Sequence, residues 1–172
     1  MFTSDDVSRS SPFFWAFRKA FPDKAETMFS ITDSIPAPLK QIGPSFQFID
    51  FDAKTFVSRV TVTSLGSQTS IMTTRATILC TEGKDGLRLQ IETTKPEDST
   101  ILKLLGPLGE FINEKSPPVN SGQFLERVRP GSSEVIVRTT FCDEGLRISR
   151  NEDSFDDFYI WVRVGFSKGS EM

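Results

Sequence analysis

The sequence predicts a mainly β protein: an antiparallel barrel with a short N-terminal helix and an apolar lid segment between strands. Three observations predict it. Seven strand-like runs alternate apolar and polar residues between Ser45 and Phe166, mostly joined by hairpin-scale turns, and regular short strands with turn signals argue for a barrel or sandwich. One aromatic helix precedes them and one irregular apolar segment interrupts them, which favours a closed barrel with a lid. Sixteen phenylalanines stand against one tyrosine, and a large ring without a polar handle belongs in a core, a lipophilic cavity or a lipid-facing patch.

The first element is "SSPFFWAFRKAF" (Ser10 to Phe21), a short helix with Ser11 as N-cap and Pro12 in the first turn. Phe14, Phe17 and Phe21 share one stripe by 3–4 spacing, while Phe13 and Trp15 fall elsewhere. Burial and a dip into a lipid surface are both open for this helix. Asp33 to Ser45, broken by Pro36, Pro38, Gly43 and Pro44, reads as connection. In "SFQFIDFD", Phe46 and Phe48 keep period 2 and Ile49 and Phe51 fall out of phase, which a bulge near Phe48–Ile49 reconciles. Thr55 to Leu65 sets Phe56, Val60 and Val62 against Val57, Arg59, Thr61 and Thr63. Ser70 to Glu82 aligns Met72, Ala76, Ile78 and Cys80. "EGKDG" then turns the chain at Asp85-Gly86, and Leu87, Leu89 and Ile91 point inward against Arg88, Gln90 and Glu92.

Asp98 to Pro118 breaks the rhythm with aliphatics facing several directions around Gly106-Pro107, as two short helical turns or an apolar flap. Alternation returns at Ser132 to Glu144 (Val135, Val137, Thr139, Phe141), continues past Gly145 through Leu146 and Ile148, and ends in "FDDFYIWVRVGF", where Phe158, Ile160, Val162, Val164 and Phe166 oppose Tyr159, Trp161 and Arg163.

The 172 residues fit one domain, 1–172, large enough to bury about two-thirds of its unfolded surface without disulfide or metal. Apolar residues make up 37%, charged residues 25%, and the net charge is −3. No apolar run reaches the ~20 residues that span a bilayer. The opening "MFTSDDVSRSS" lacks a signal peptide's apolar region, and Asp5 and Asp6 are out of place in a transit peptide. By itself that reads as a cytosolic chain or one that has lost a leader. Cys80 and Cys142 are expected to be reduced, buried thiols, with a bridge between them as the open alternative.

Histidine is absent, which removes Ser-His-Asp and Cys-His catalysis and every His-ligated metal. With two cysteines and no C-x-x-C, a structural zinc site is not expected. There is no glycine-rich phosphate loop, no basic stripe for nucleic acid, and the net charge has the wrong sign for it. The acidic pairs Asp5–Asp6, Asp143–Glu144 and Asp156–Asp157 are adjacent, so on a strand they point apart and form no acid/base couple.

At "TTFCDEGLRISRNEDSFDDFYIWVRV" (Thr139 to Val164) the chain resembles the plastid lipid-associated protein family, the fibrillins or plastoglobulins. The likeness rests on an aromatic residue (Phe141), an acidic turn (Asp143), the Leu146-Arg147-Ile148-Ser149-Arg150 block and the Val162-Arg163 step. "FTSDDVSRSSPFFWAFRKAF" and "ITDSIPAPLKQIGPSFQFID" are also similar to early segments of that family, so the resemblance covers nearly the whole chain. Cys142 stands where the family usually has an aliphatic, Gly145 where it has an acid and Asn151 where it has a glycine. "MFTS" looks like the end of the family's opening strand, so an edge strand is expected to lack a partner. The resemblance implies a lipocalin-like barrel, no cofactor and no well-defined catalytic set, hence no enzyme. It implies a plastid location, peripheral on plastoglobules or thylakoids, and lipophilic partners such as carotenoids, prenylquinones or neutral lipids.

The candidate site residues follow. Arg147 and Arg150, three apart on a strand, face opposite sides. Either Asp143 or Glu144 pairs with one of them as a turn latch, or an arginine reaches the carboxylate or diphosphate of a ligand. Phe14, Phe17, Phe46, Phe56, Phe141 and Phe158 are either filled core or the lining of a ligand cavity. Three functions remain open: a non-catalytic lipid-associated protein, a scaffold docking an isoprenoid- or quinone-pathway enzyme through "ILKLLGPLGEFI" and Phe13–Trp15, and an isomerase or cyclase of oxidised lipids using Tyr159, Glu92 and Arg75.

Overall fold

Among the described residues seven strands pair in chain order into one antiparallel sheet. They are β1 (Lys40–Asp50), β2 (Thr55–Ser64), β3 (Gln68–Glu82), β4 (Gly86–Glu97), β5 (Glu134–Cys142), β6 (Leu146–Asn151) and β7 (Tyr159–Val162). The computed structural model describes residues 7–25, 27, 40–64, 68–103, 106–115, 117–152 and 158–164. The expected "MFTS" strand end, most of the Pro-rich connection, the Asp156–Asp157 pair and Phe166 lie outside the described residues.

The sheet curls into a half-barrel around helix α1 (Pro12–Ala20). Its inner face follows the alternation: Phe56 and Val60 on β2, Ala76 and Ile78 on β3, Leu89 and Ile91 on β4, and Val135 and Val137 on β5 are all buried. The curl returns β6 to β1, where the Arg147 guanidinium donates to Gln47 Oε1. It also sets Tyr159 of β7 against Trp15 of α1, ring centroids 6.0 Å apart.

Helix α1 begins as expected, with Ser11 at the N-cap and Pro12 at the first position, although the Ser11 hydroxyl donates to Thr74 Oγ1 at 3.4 Å rather than capping. Its core stripe differs from the expected Phe14, Phe17 and Phe21. Pro12, Trp15, Ala16 and Ala20 are buried instead. Close approach to a sheet favours small side chains, so Ala16 and Ala20 share the contact face with Trp15 and the phenylalanine rings flank it. Phe13, Phe17 and Phe21 pack in a row that continues to Phe124, 6.1 Å from Phe21.

Register breaks account for the other departures. On β1 the irregularity lies between Ile42 and Ser45, not at Phe48–Ile49, because Gly43-Pro44 cannot keep the ladder there. Phe46 and Phe48 therefore point outward, Gln47 and Ile49 inward, and Phe51 sits exposed in the following turn. Shifts after Ile78 and Thr139 move Cys80 and Phe141 off the inner face. Both cysteines are free and exposed, which corrects the expectation of buried thiols. At the β3–β4 turn the residue with positive φ is Gly83 (+66°), not Gly86, which pairs with Glu82 as the first position of β4.

Between β4 and β5 the lid expectation resolves into short helices: α2 (Thr100–Lys103), α3 (Pro107–Lys115) and α4 (Ser121–Val128). Leu108 and Phe111 of α3 face solvent. Buried Asn113 holds the segment to its start, its Oδ1 accepting from the Ser99 N–H at 3.0 Å. Helix α4 rests on β4, where Thr94 and Val119 exchange two backbone hydrogen bonds of 3.0 Å, and its Leu125 enters the core.

The turn from α4 into β5 is organised by Glu126, whose carboxylate accepts from the Gly131 N–H at 2.7 Å and the Ser133 hydroxyl at 2.8 Å. Those two bonds, the first above all, hold its pKa below the ordinary value. A depressed folded pKa gives stability that is full above the unfolded-state value of about 4.3 and lost as pH falls through the folded one. Glu126→Gln is therefore expected to lower the melting temperature at pH 7 and to flatten its decline on acidification below about pH 5. Thermal melts across that range check both.

Candidate functional site

The outer face carries the unusual chemistry. In a sheet with one wet face, outward residues are normally polar. Along β7 and the residues flanking it the reverse holds: Tyr159 and Trp161 point inward, while Phe158, Ile160, Val162 and Val164 are 63%, 45%, 72% and 70% exposed. Leu146 and Ile148 of β6 lie on the same side, opposite Val162 and Ile160, and exposed Phe141 pairs with Ile148. On the other outermost strand, β1, Phe46 and Phe48 are exposed, with Phe51 beyond them. Both margins of the sheet thus present apolar side chains to the surroundings.

Beside the β1 margin lies a shallow groove of about 240 Å³, lined by Phe48, Val57, Arg59, Thr73, Arg75 and Glu97. Cross-strand pairing of Phe48 with Val57, Val57 with Arg75, and Arg59 with Thr73 places these residues on one face. Glu97 accepts from the Thr73 hydroxyl at 2.6 Å and pairs with Arg59 at 3.4 Å. Arg59 Nε is buried without a hydrogen-bond partner, and Arg75 is exposed with no ion pair among the described residues.

Inside the curl, Arg147 stands opposite Trp161, its guanidinium 5.7 Å from that ring. Trp161 Nε1 donates to buried Ser149 Oγ at 2.9 Å. Gln47, which accepts from Arg147, reaches the Ser10 carbonyl with its amide at 3.4 Å. Burial holds the Arg147 guanidinium below its ordinary pKa, yet an arginine remains cationic at any physiological pH. No carboxylate neutralises it among the described residues.

The arginines do face opposite sides: Arg150 lies across from Arg138 on the outer face, where Arg138 is held by Asp85 and Glu152. The expected ionic latch takes another form. Asp143 Oδ1 accepts from the Gly145 and Leu146 N–H groups at 2.8 and 2.6 Å, so it fixes the turn through backbone. Neither Asp143 nor Glu144 pairs with Arg147 or Arg150 among the described residues. The closing contact runs from Arg147 to Gln47, a hundred residues away in sequence.

The aromatic candidates do not gather around one cavity. Phe56 is fully buried in the core cluster, whereas Phe46, Phe141 and Phe158 are on the outside. Phe17 packs on the core, and Phe14 meets Phe13 edge-on. Tyr159 faces inward, Glu92 binds the Thr77 hydroxyl on the exposed side, and Arg75 belongs to the outer groove, so these three form no common site. Gln47 and Trp161 were not among the sequence candidates. The period-2 pattern set Trp161 opposite Phe158 but, with both faces of β7 aromatic, held no signal for which face was inner. Among the described residues no helix is long and apolar enough to cross a membrane, and no cluster of three potential metal ligands occurs. Comparison with protein-family models and with curated proteins gives no match to this chain.

Proposed function

We propose that this chain is a non-catalytic lipid-associated protein that coats a lipophilic phase with its outer face. The observation that supports this reading is the exposed apolar row Phe158, Ile160, Val162 and Val164 along β7 and its flanking residues. Exposed apolar surface rimmed by polar residues marks a partner or a lipid interface. Coating fits better than enclosure, because the inner positions are filled by one core cluster that joins Trp15, Ala16 and Ala20 of α1 with Phe56, Leu89, Ile91 and Val137. The resemblance to plastid lipid-associated proteins carries the finer reading: neutral lipid, carotenoid or prenylquinone, met peripherally at plastoglobules or thylakoids.

Flotation with phospholipid-coated triolein droplets tests it. The wild type is expected to rise with the droplets. Ile160→Ser together with Val162→Ser, both exposed, is expected to weaken binding about tenfold or more, since each side chain loses part of the roughly 1.5–3 kcal/mol available from full burial. A wild-type chain with a β-type circular dichroism spectrum that stays in the aqueous layer overturns the proposal.

A separate observation favours a second reading. Exposed Leu108 and Phe111 lie on α3, in the crossover between β4 and β5, and such a pair suits a scaffold docking an isoprenoid- or quinone-pathway enzyme. One stoichiometric partner retained from plastid extract, and lost in Phe111→Ser, favours that scaffold over coating alone.

A further inference from the structure

We infer that the groove on the outer face of β1–β3 binds the anionic head group of a surface lipid, setting which lipid surface the protein selects. The inference rests on the coating reading and adds a charge requirement to it. Two guanidinium groups and one carboxylate line the groove. Glu97 is already engaged twice, by Arg59 and by the Thr73 hydroxyl. Among the described residues Arg75 has no acceptor, and Arg59 spends one terminal nitrogen on Glu97 while its buried Nε has no partner.

Such a site complements a phosphate or sulfo group, which accepts several guanidinium hydrogen bonds in the fork geometry that arginine offers. Its position argues for a lipid source. Phe48 is part of the lining, Phe46 stands directly across from Arg59, and Phe51 projects from the adjoining turn. Rings beside cations match an interface, with apolar bodies entering the acyl boundary and charges staying at head-group depth. A soluble anion would make no use of the rings.

Co-sedimentation with vesicles tests this, using phosphatidylcholine alone and phosphatidylcholine with about 30 mol% phosphatidylglycerol; each basic residue at an anionic surface contributes about fivefold in affinity. The wild type is expected to bind the anionic vesicles at least about tenfold more tightly, with the gain falling away at high salt. Arg75→Gln is expected to remove most of that gain and Arg59→Gln part of it, both leaving binding to neutral vesicles unchanged. Arg127→Gln, an exposed basic residue on α4, is expected to keep the full gain.

Equal binding to both vesicles, an undiminished gain in Arg75→Gln, or an equal loss in Arg127→Gln overturns the groove assignment and leaves the coating reading standing. Full displacement by millimolar inorganic phosphate overturns it too, in favour of a soluble anion site. Failure of the wild type to bind either vesicle overturns both.

Discussion

Gly122→Ala is expected to destabilise the protein by about 3–5 kcal/mol, which for a domain of this size lowers the melting temperature by roughly 10 °C or more. A Cβ at this position would lie 1.8 Å from the Ile91 carbonyl oxygen and 2.7 Å from its carbon. Overpacking normally costs about 1–3 kcal/mol because side chains yield. Here both sides of the clash are backbone, and neither has a rotamer to change. Helix α4 would have to retreat from β4 by more than an ångström. That movement strikes the paired Thr94 and Val119 hydrogen bonds, the 2.9 Å contact between the Thr94 and Ser121 hydroxyls, and the burial of Leu125. Total stability is only about 5–15 kcal/mol for most domains, so the variant is expected to sit near the edge of folding. Chemical denaturation with fluorescence detection checks the size of the loss. Hydrogen exchange at Thr94 and Val119 locates it, and protection there equal to wild type would show that α4 has room that its geometry denies.

The strands were legible because period-2 alternation is a local property. On β2 and β4, Phe56, Val60, Leu89 and Ile91 point inward as the pattern requires. Alternation, however, fixes only which residues share a face. It does not say which face is inner, nor does it survive an extra residue, since a one-residue slip turns every later side chain over. Phe141 and Cys80 follow such slips and are exposed. On β1 the slip at Gly43-Pro44 comes early, and Phe46 and Phe48 turn outward as a result. On β7 both faces are rich in rings, so Phe158 read as lining where Trp161 in fact faces the interior. The groove was hidden for a different reason. Arg59, Arg75 and Glu97 come from three strands, and only their register brings them together. These failures point the same way: aromatic residues assigned to a cavity are at the surface, and that placement makes coating a better account than enclosure.

Arg147→Ala is expected to cost about 2–3 kcal/mol, and Arg147→Met to recover a good part of that loss. The alanine variant removes a charged hydrogen bond to Gln47, worth about 1.5–3 kcal/mol, and a ring contact with Trp161 worth about 0.5–1 kcal/mol. Against this stands relief from keeping a half-buried cation without a carboxylate, so the net sits below the sum. Methionine restores the packing of the long stem without the charge. The partner variant Gln47→Ala leaves the guanidinium without its acceptor and is expected to be as harmful as Arg147→Ala. The double variant should cost clearly less than the two single losses added, because one contact is shared. Equilibrium unfolding of the four proteins supplies that cycle. A coupling near zero would mean that the β6–β1 contact closes nothing. The alternative role of Arg147, capture of a ligand carboxylate, makes the opposite forecast for methionine. A cation kept for a ligand burdens the free protein, so Arg147→Met would then be as stable as wild type or more so, while affinity for an anionic amphiphile fell. Placing the residue between Trp161 and Gln47 favours the closing contact, since its acceptor and its ring partner are already supplied by the fold.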